Sequence, residues 1–485
     1  MHRRSWCMWR TEVDPLRHRR GRWIRGAPSE LIVSDGRIQQ IRPLGPGRDA
    51  VHAVVLPGFH DSHLHLRAAA AARLSVDLST SSSIPELLAS LRIGVREFDG
   101  RWVRGWGWDE SSLKERRQPT IGEVDSVTAD RPCVLHHRTG KLVILNSAAW
   151  RILAGSDSAQ AHIAEPLRAD AALLERMPRQ PEESLESALA DLSRELAASG
   201  VTSVTDATAT NTWDDIAHIE DWVRRGVLRQ RINALIAVDQ ISATSASEGM
   251  PTDGTVRVLG AKVASPADGI AERVRHVREY GWPVAIHATE PDELEAALVA
   301  ISDCGPPAWG RDRIEHLGLP LPGHLERIRS SGIAVTTNPA FVTERGHKYR
   351  ELLSAVEQEW LYPSRSVLAQ GIPLAAASDR PVTSATPLAT MAAAVHRLPR
   401  VGDAPPLGLE ERVTPDEALS LVTDRAEVDG PARDRKRGRG SSASDVHLHA
   451  DLVVLSDDPR VLFEETGVLA TFVGGRAIWG VQEGG

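Results

Sequence analysis

The chain has 485 residues, 41% hydrophobic and 25% charged, with a formal net charge of −8 at pH 7, the profile of an ordinary globular protein with room for a barrel-sized domain and a smaller one. The acidic balance makes no case for nucleic acid, and no apolar run approaches the roughly 18–20 residues that span a bilayer. The basic stretch Met1–Arg10 leads into no apolar signal-peptide core, and three cysteines (Cys7, Cys133, Cys304), none spaced as a metal knuckle, point to a reducing, cytoplasmic compartment without disulfides.

Residues 1–25 carry eight arginines and are expected to form a basic, solvated arm. Leu31–Val33 and Ile38–Ile41 then flank an Asp35-Gly36 turn, which is a hairpin signal. From Val54 onward strand-like and helix-like segments alternate. The strand candidates are Val54–Phe59, Cys133–His137, Val201–Ala207, Ile232–Val238, Val256–Val263, Pro283–Ala288, Arg313–Gly318, Ile333–Asn338 and Pro373–Asp379. Helical spacing of Ile270, Val274 and Val277 ends at Gly281, and Glu293–Ile301, Leu325–Ser330 and Ser364–Gln370 are also helical. Repeated β-then-α units predict a parallel sheet, closed as a (β/α)8 TIM barrel over residues 54–428. That leaves nine candidates for eight places, with Ile232–Val238 or Val256–Val263 expected to be surplus. A doubly wound open sheet is the second reading, but no Gly-rich phosphate turn supports it. Residues 429–444 are polar, basic and rich in Gly and Ser, as in a flexible insertion. Ala450–Leu455, Leu469–Val473 and Arg476–Trp479 are strand-like again, so 26–53 and 445–485 are expected to build one small β-sandwich-like domain from both chain ends.

Candidate site residues lie at strand ends. His63 and His65 are two apart, so in an extended segment both imidazoles face one side. Directly after Val54–Leu56 they would stand at the C-terminal mouth of a first strand, where barrel active sites lie. His-x-His alone is weak: His447 and His449 repeat the spacing in the polar tail, where they read as solvated. His287, His316 and Asp379 each close a separate apolar segment, and that ordered series is hard to explain as core packing. Imidazole with carboxylate suits zinc or a related divalent ion, one or two in number. Lys262 is one of only five lysines against 52 arginines, yet it sits in the apolar run Val256–Val263. Three roles are open to it: a neutral base, a charge partner for Asp379, or a carbamate able to bridge two metal ions, which arginine cannot become.

These residues carry a resemblance. PGFHDSHLHL at 57–66, GWGWDES at 105–111, HHRTG at 136–140 with LNSAA at 145–149, GVTSVTDAT at 200–208, IEH at 314–316, ASD at 377–379 and ADLVVLSDDP at 450–459 are ordered as in the amidohydrolase superfamily. Within it, the chain resembles the branch that includes N-substituted formamide deformylases. The resemblance implies that His63 and His65 bind one metal with Asp379, that Lys262 is a carboxylated bridge, and that His287 and His316 bind a second metal. Asp379 would also be the general base for hydrolysis of a C–N bond, amide or amide-like, by metal-activated water. Ester, lactone or phosphotriester hydrolysis would use the same site, and a metal-free, non-catalytic scaffold is a reading of another class. The partner expected is a small-molecule substrate, neither nucleic acid nor membrane, and a homo-oligomer is compatible with the sequence. Two departures bear on substrate contacts, which the sequence does not place. Gly140, followed by Lys141, stands where many relatives have histidine, and Arg380 stands where a small residue is usual. Arg380 would make either a structural ion pair or a contact with an anionic substrate group. Trp106, Trp108, Trp360 and Tyr362 would either line the pocket or pack.

Overall fold

The computed structural model describes residues 10–19, 22–43, 53–97, 102–128, 130–154, 167–168, 176–178, 180–242, 256–264, 269–400, 405–423, 450–461, 463 and 465–480. The expected insertion at 429–444 and the pair His447 and His449 lie outside these residues. Two compact units divide the chain, one formed by 1–64, 193–379 and 385–485, the other by 65–192 and 380–384.

The first unit is built on eight strands: β1 (Phe59–Leu64), β2 (Val201–Asp206), β3 (Arg231–Ala237), β4 (Val256–Val263), β5 (Val284–Ala288), β6 (Arg313–His316), β7 (Ala334–Thr337) and β8 (Leu374–Ala376). They are hydrogen-bonded in chain order, every neighbouring pair parallel. The Asp379 N–H donates to the His63 carbonyl at 2.8 Å, and the Ser62 hydroxyl to the Ala376 carbonyl at 3.0 Å, so the end of β8 meets β1 in a (β/α)8 barrel. Parallel barrel strands are covered on both faces: β2 and β7 are buried at every residue and β4 at all but one. The crossover helices follow local rules. Trp213–Arg225 starts at a Thr212/Asp215 capping box, ends at Gly226 with φ +78°, and buries Ile216, Ile219 and Trp222 along one stripe.

Two sequence expectations change here. Ile232–Val238 and Val256–Val263 both supply barrel strands, β3 and β4; the surplus candidate is Cys133–His137, which lies in another sheet. Its apolar run is as buried as a barrel strand, and apolar periodicity reports burial without reporting the partner. The candidate Val54–Phe59 is also two strands. Val54–Pro57 pairs with Leu452–Leu455, and Gly58 switches the chain into β1. A Cβ at Gly58 would overlap the Thr202 side chain, so the close approach to β2 requires glycine.

Strands from both chain ends complete the unit. Arg10–Arg19, Arg22–Ser34 and Arg37–Pro43 form one antiparallel sheet, and Val54–Pro57, Leu452–Leu455, Val468–Val473 and Arg476–Trp479 form another. Ile38, Ala53, Val55, Ala450, Leu452, Val454 and Ala470 share one buried cluster. Arg231 at the start of β3 clamps Asp451 with bonds of 2.6 and 3.1 Å. Residues 10–19, part of the expected basic arm, form a strand paired with Arg22–Ser34.

The second unit carries a five-stranded sheet ordered Val76–Asp77, Val103–Trp108, Cys133–His137, Leu142–Leu145 and Leu167–Arg168. Its core gathers Leu78, Leu87, Leu91, Trp108, Val124 and Leu135. Among the described residues no helix is long and apolar enough to cross a membrane.

Candidate metal centre

Parallel strands bring their C-terminal ends to one mouth. His63 is the second-last residue of β1 rather than a residue beyond a strand at Val54–Leu56. Lys262 and His287 are second-last in β4 and β5, His316 ends β6, and Asp379 follows β8 by three residues.

The fold brings these side chains together. His63 Nε2 lies 3.4 Å from Asp379 Oδ1. One ligand atom each from His63, His65 and Asp379 falls within a 4.8 Å group. The His316 ring stands 4.8 Å from that of His63 and 4.6 Å from that of His287. Lys262 is 4% exposed, and its charge acts on His63, Glu315 and His316. His287, His316 and Lys262 thus border the three-residue group without belonging to it.

Backbone conformation sharpens the convergence. His316, Leu317, Tyr362 and Asp379 all have positive φ, between +47° and +76°. Each such residue costs on the order of 1–3 kcal/mol, and strain of this kind gathers at functional sites. At β6 the geometric consequence is direct. Adjacent strand residues normally face opposite sides, yet Glu315 and His316 both reach His63, Glu315 by a 2.6 Å bond and His316 by the ring contact.

Glu315 was not singled out by the sequence reading, and it is fully buried. Its carboxylate accepts from His63 Nδ1 and from Arg313 Nε at 2.9 Å, while Arg313 Nη2 also donates to the Ser62 carbonyl and Thr336 Oγ1, each at 3.0 Å. Asn338 plays the matching part for His316. Its Oδ1 accepts from Nδ1 at 2.7 Å, an assignment set by its Nδ2 donating to the Ala377 carbonyl at 3.0 Å. With Nδ1 committed on both rings, Nε2 carries the lone pair. The available signal was Arg-x-Glu in the strand candidate Arg313–Gly318, where the two charges fall on one face and, once buried, must be paired.

Electrostatics favour the same state. Burial drives the His63 imidazole down to about 3, the Lys262 charge adding to it against the opposing pull of Glu315 and Asp379. His316 is lowered first by burial and further by Lys262, with Asp379 opposing. Burial pushes the Glu315 carboxyl up, but Arg313, then Lys262 and His63, outweigh it and hold the group well below its usual range. Two imidazoles whose Nε2 atoms carry the lone pair, beside a carboxylate, make a nitrogen and oxygen donor set that fits zinc or a related divalent ion.

A second group, Asp109, Glu110 and His137, lies in the other unit with ligand atoms within 4.8 Å. There the Thr139 N–H donates to His137 Nδ1 at 3.2 Å, and His137 Nε2 stands 3.2 Å from Glu110 Oε2. Trp108 is core, its Nε1 donating to the Leu135 carbonyl at 3.2 Å, and Arg380 Nη2 donates to the Ser384 carbonyl at 3.1 Å. Gly140 occupies a turn at φ +70° with its N–H on the His137 carbonyl. Of the aromatic candidates, Tyr362 stands beside the barrel centre, 5.7 Å edge-on to Phe341, whose ring stacks on His316 at 6.4 Å.

Residues 47–478 match a family model described as the amidohydrolase family. An N-substituted formamide deformylase of Arthrobacter pascens is 27% identical, the match covering 92% of this chain and 94% of that protein. Among solved structures, an uncharacterized metal-dependent hydrolase from Pyrococcus horikoshii OT3 superposes with a TM-score of 0.68 at 21% identity, covering 91% of this chain and 95% of that one. The atrazine chlorohydrolase TrzN of Arthrobacter aurescens TC1, solved with zinc, gives a TM-score of 0.54 at 14% identity, over 97% of this chain and 94% of that one. These two structural likenesses concern the fold.

Proposed function

The chain belongs to the amidohydrolase family and is a metal-dependent hydrolase, and on that premise we propose that it cleaves a C–N bond, amide or amide-like, of a small molecule. The observation that carries the reading is the 3.4 Å approach of His63 Nε2 to Asp379 Oδ1, with His65 in the same three-donor group. His63, His65 and Asp379 would hold one divalent ion, for which zinc is the favoured identity; His287 and His316 would hold a second, with Lys262 as a carbamate between the two. A bound ion supplies carbonyl polarisation and a water of lowered pKa. Asp379 takes the proton from the attacking water and passes it to the leaving nitrogen. Glu315 and Asn338 keep the His63 and His316 rings in one tautomer and orientation, and Arg313 keeps Glu315 ionised. The A. pascens relative is named for deformylation of N-substituted formamides, which supports an amide over an ester substrate.

The test joins metal analysis of protein purified without chelator to a turnover panel of N-substituted formamides, other secondary amides, esters and lactones. One to two divalent ions per chain with amide turnover is the expected result. Metal-free protein that gains no activity with added zinc or manganese would remove the reading, and turnover confined to esters or lactones would reassign the bond.

A further inference from the structure

The helix Pro339–Leu352 begins directly after Asn338, the residue that orients His316. Phe341 and Arg345, four residues apart, share one face of it. Phe341 is 4% exposed and touches His316 on one side and Tyr362 on another. The Arg345 guanidinium lies 4.5 Å from the centre of the Phe341 ring. Arg345 Nε and Nη2 are nevertheless buried with no hydrogen-bond partner. Tyr349 and Tyr362 bond to each other through their hydroxyls at 3.2 Å. The Tyr362 phenol, raised mainly by burial, senses both the Arg345 cation and the Asp379 anion, so both charges lie near one hydroxyl.

Packing on Phe341 does not account for this arrangement. A cation–π contact contributes about 0.5–2 kcal/mol through the guanidinium face, but the N–H donors lie in the guanidinium plane and stay unmade. A buried donor left unmade costs about 1–3 kcal/mol, and more on a charged group. The planar fork of an arginine matches a carboxylate in geometry and charge. We infer that Arg345 receives a carboxylate of the substrate, so that the molecule cleaved is an amide whose far end carries an acid group, held across the Phe341–Tyr362 wall with its scissile bond toward His316 and Asp379. This inference rests on the hydrolase reading above for the bond cleaved, but its anion-binding half stands separately. It also gives Arg345 the anion-recognition role that the sequence left open for Arg380.

The test uses the metal-loaded, full-length protein and matched probes: N-formylglycine, 4-(formamidomethyl)benzoate and N-formyl-6-aminohexanoate, each against its uncharged carboxamide. Equilibrium binding is measured by calorimetry for the wild type, Arg345→Met and Arg345→Lys, with metal content determined for all three. At least one acid should bind tenfold or more tighter than its carboxamide. Arg345→Met should erase that preference without changing metal content, and Arg345→Lys should retain part of it. A wild type that prefers none of the acids, or a preference that survives Arg345→Met, would overturn the assignment. An acid bound through Arg345 but never hydrolysed would instead leave the anion-binding half standing and remove the half that makes the acid-bearing amide the molecule cleaved.

Discussion

Asp379 meets His63 twice: its backbone N–H donates to the His63 carbonyl at 2.8 Å, and its carboxylate oxygen Oδ1 stands 3.4 Å from Nε2. The first contact joins the last barrel segment to the first strand, and the second places a carboxylate beside an imidazole whose other nitrogen is committed to Glu315. The left-handed conformation of Asp379, φ +58°, is thereby held from the backbone as well as the side chain.

Replacing Asp379 by Asn keeps the backbone bond and the side-chain volume while removing the proton acceptor. Turnover should fall roughly 10²–10⁴-fold, the range for loss of a general base, with the circular dichroism spectrum unchanged. A variant turning over within a few-fold of wild type would move the base to another residue.

Glu315→Gln tests the support behind His63. The amide can still accept from Nδ1, but it no longer balances buried Arg313, and breaking such a pair costs about 3–5 kcal/mol. Metal affinity, read by competition with a chromophoric chelator, should weaken by about 10–100-fold. Affinity unchanged within twofold would make Glu315 a packing residue only.

Lys262→Ala should hold at most one metal per chain, and an added short carboxylic acid should restore part of the second site and of the activity, because two nearby cations need an anion between them. Lys262→Arg should not be rescued, since guanidinium stays cationic. Full metal content and activity with a bare amine, seen in electron density of the wild type, would reduce the centre to one ion and leave Lys262 as a charge partner.

In metal-free protein the lowered His63 pKa has a defined consequence for stability. The unfolded state takes up this proton near the ordinary value of 6.5 and the folded state only near 3. The contribution is therefore fully present above the unfolded value and is lost as pH falls toward the folded one. The urea midpoint should drop progressively between pH 7 and pH 4, and His63→Asn should flatten that slope. Parallel slopes for the two proteins would show that His63 does not set it.

Much of the fold, and the residues of the candidate site, could be read from the chain alone. Alternating β and α segments implied the barrel, because a parallel strand buried on both faces must be apolar and its crossover helix must carry a stripe. His63, His65, His287, His316 and Asp379 stood out because polar groups closing apolar segments collect at one mouth of such a sheet. Lys262 stood out against a nearly lysine-free background. Tertiary structure decided the rest. Cys133–His137 and Val256–Val263 look alike as buried runs, and only pairing assigns them to different sheets. Glu315 and Asn338 acquire their roles from rings that a strand register and a positive φ bring to them, and the buried donors of Arg345 become visible only when nothing is found opposite them. The physical reason is common to all three. Periodicity along a chain records how much water a residue loses, whereas its partner is chosen by contacts between segments far apart in sequence.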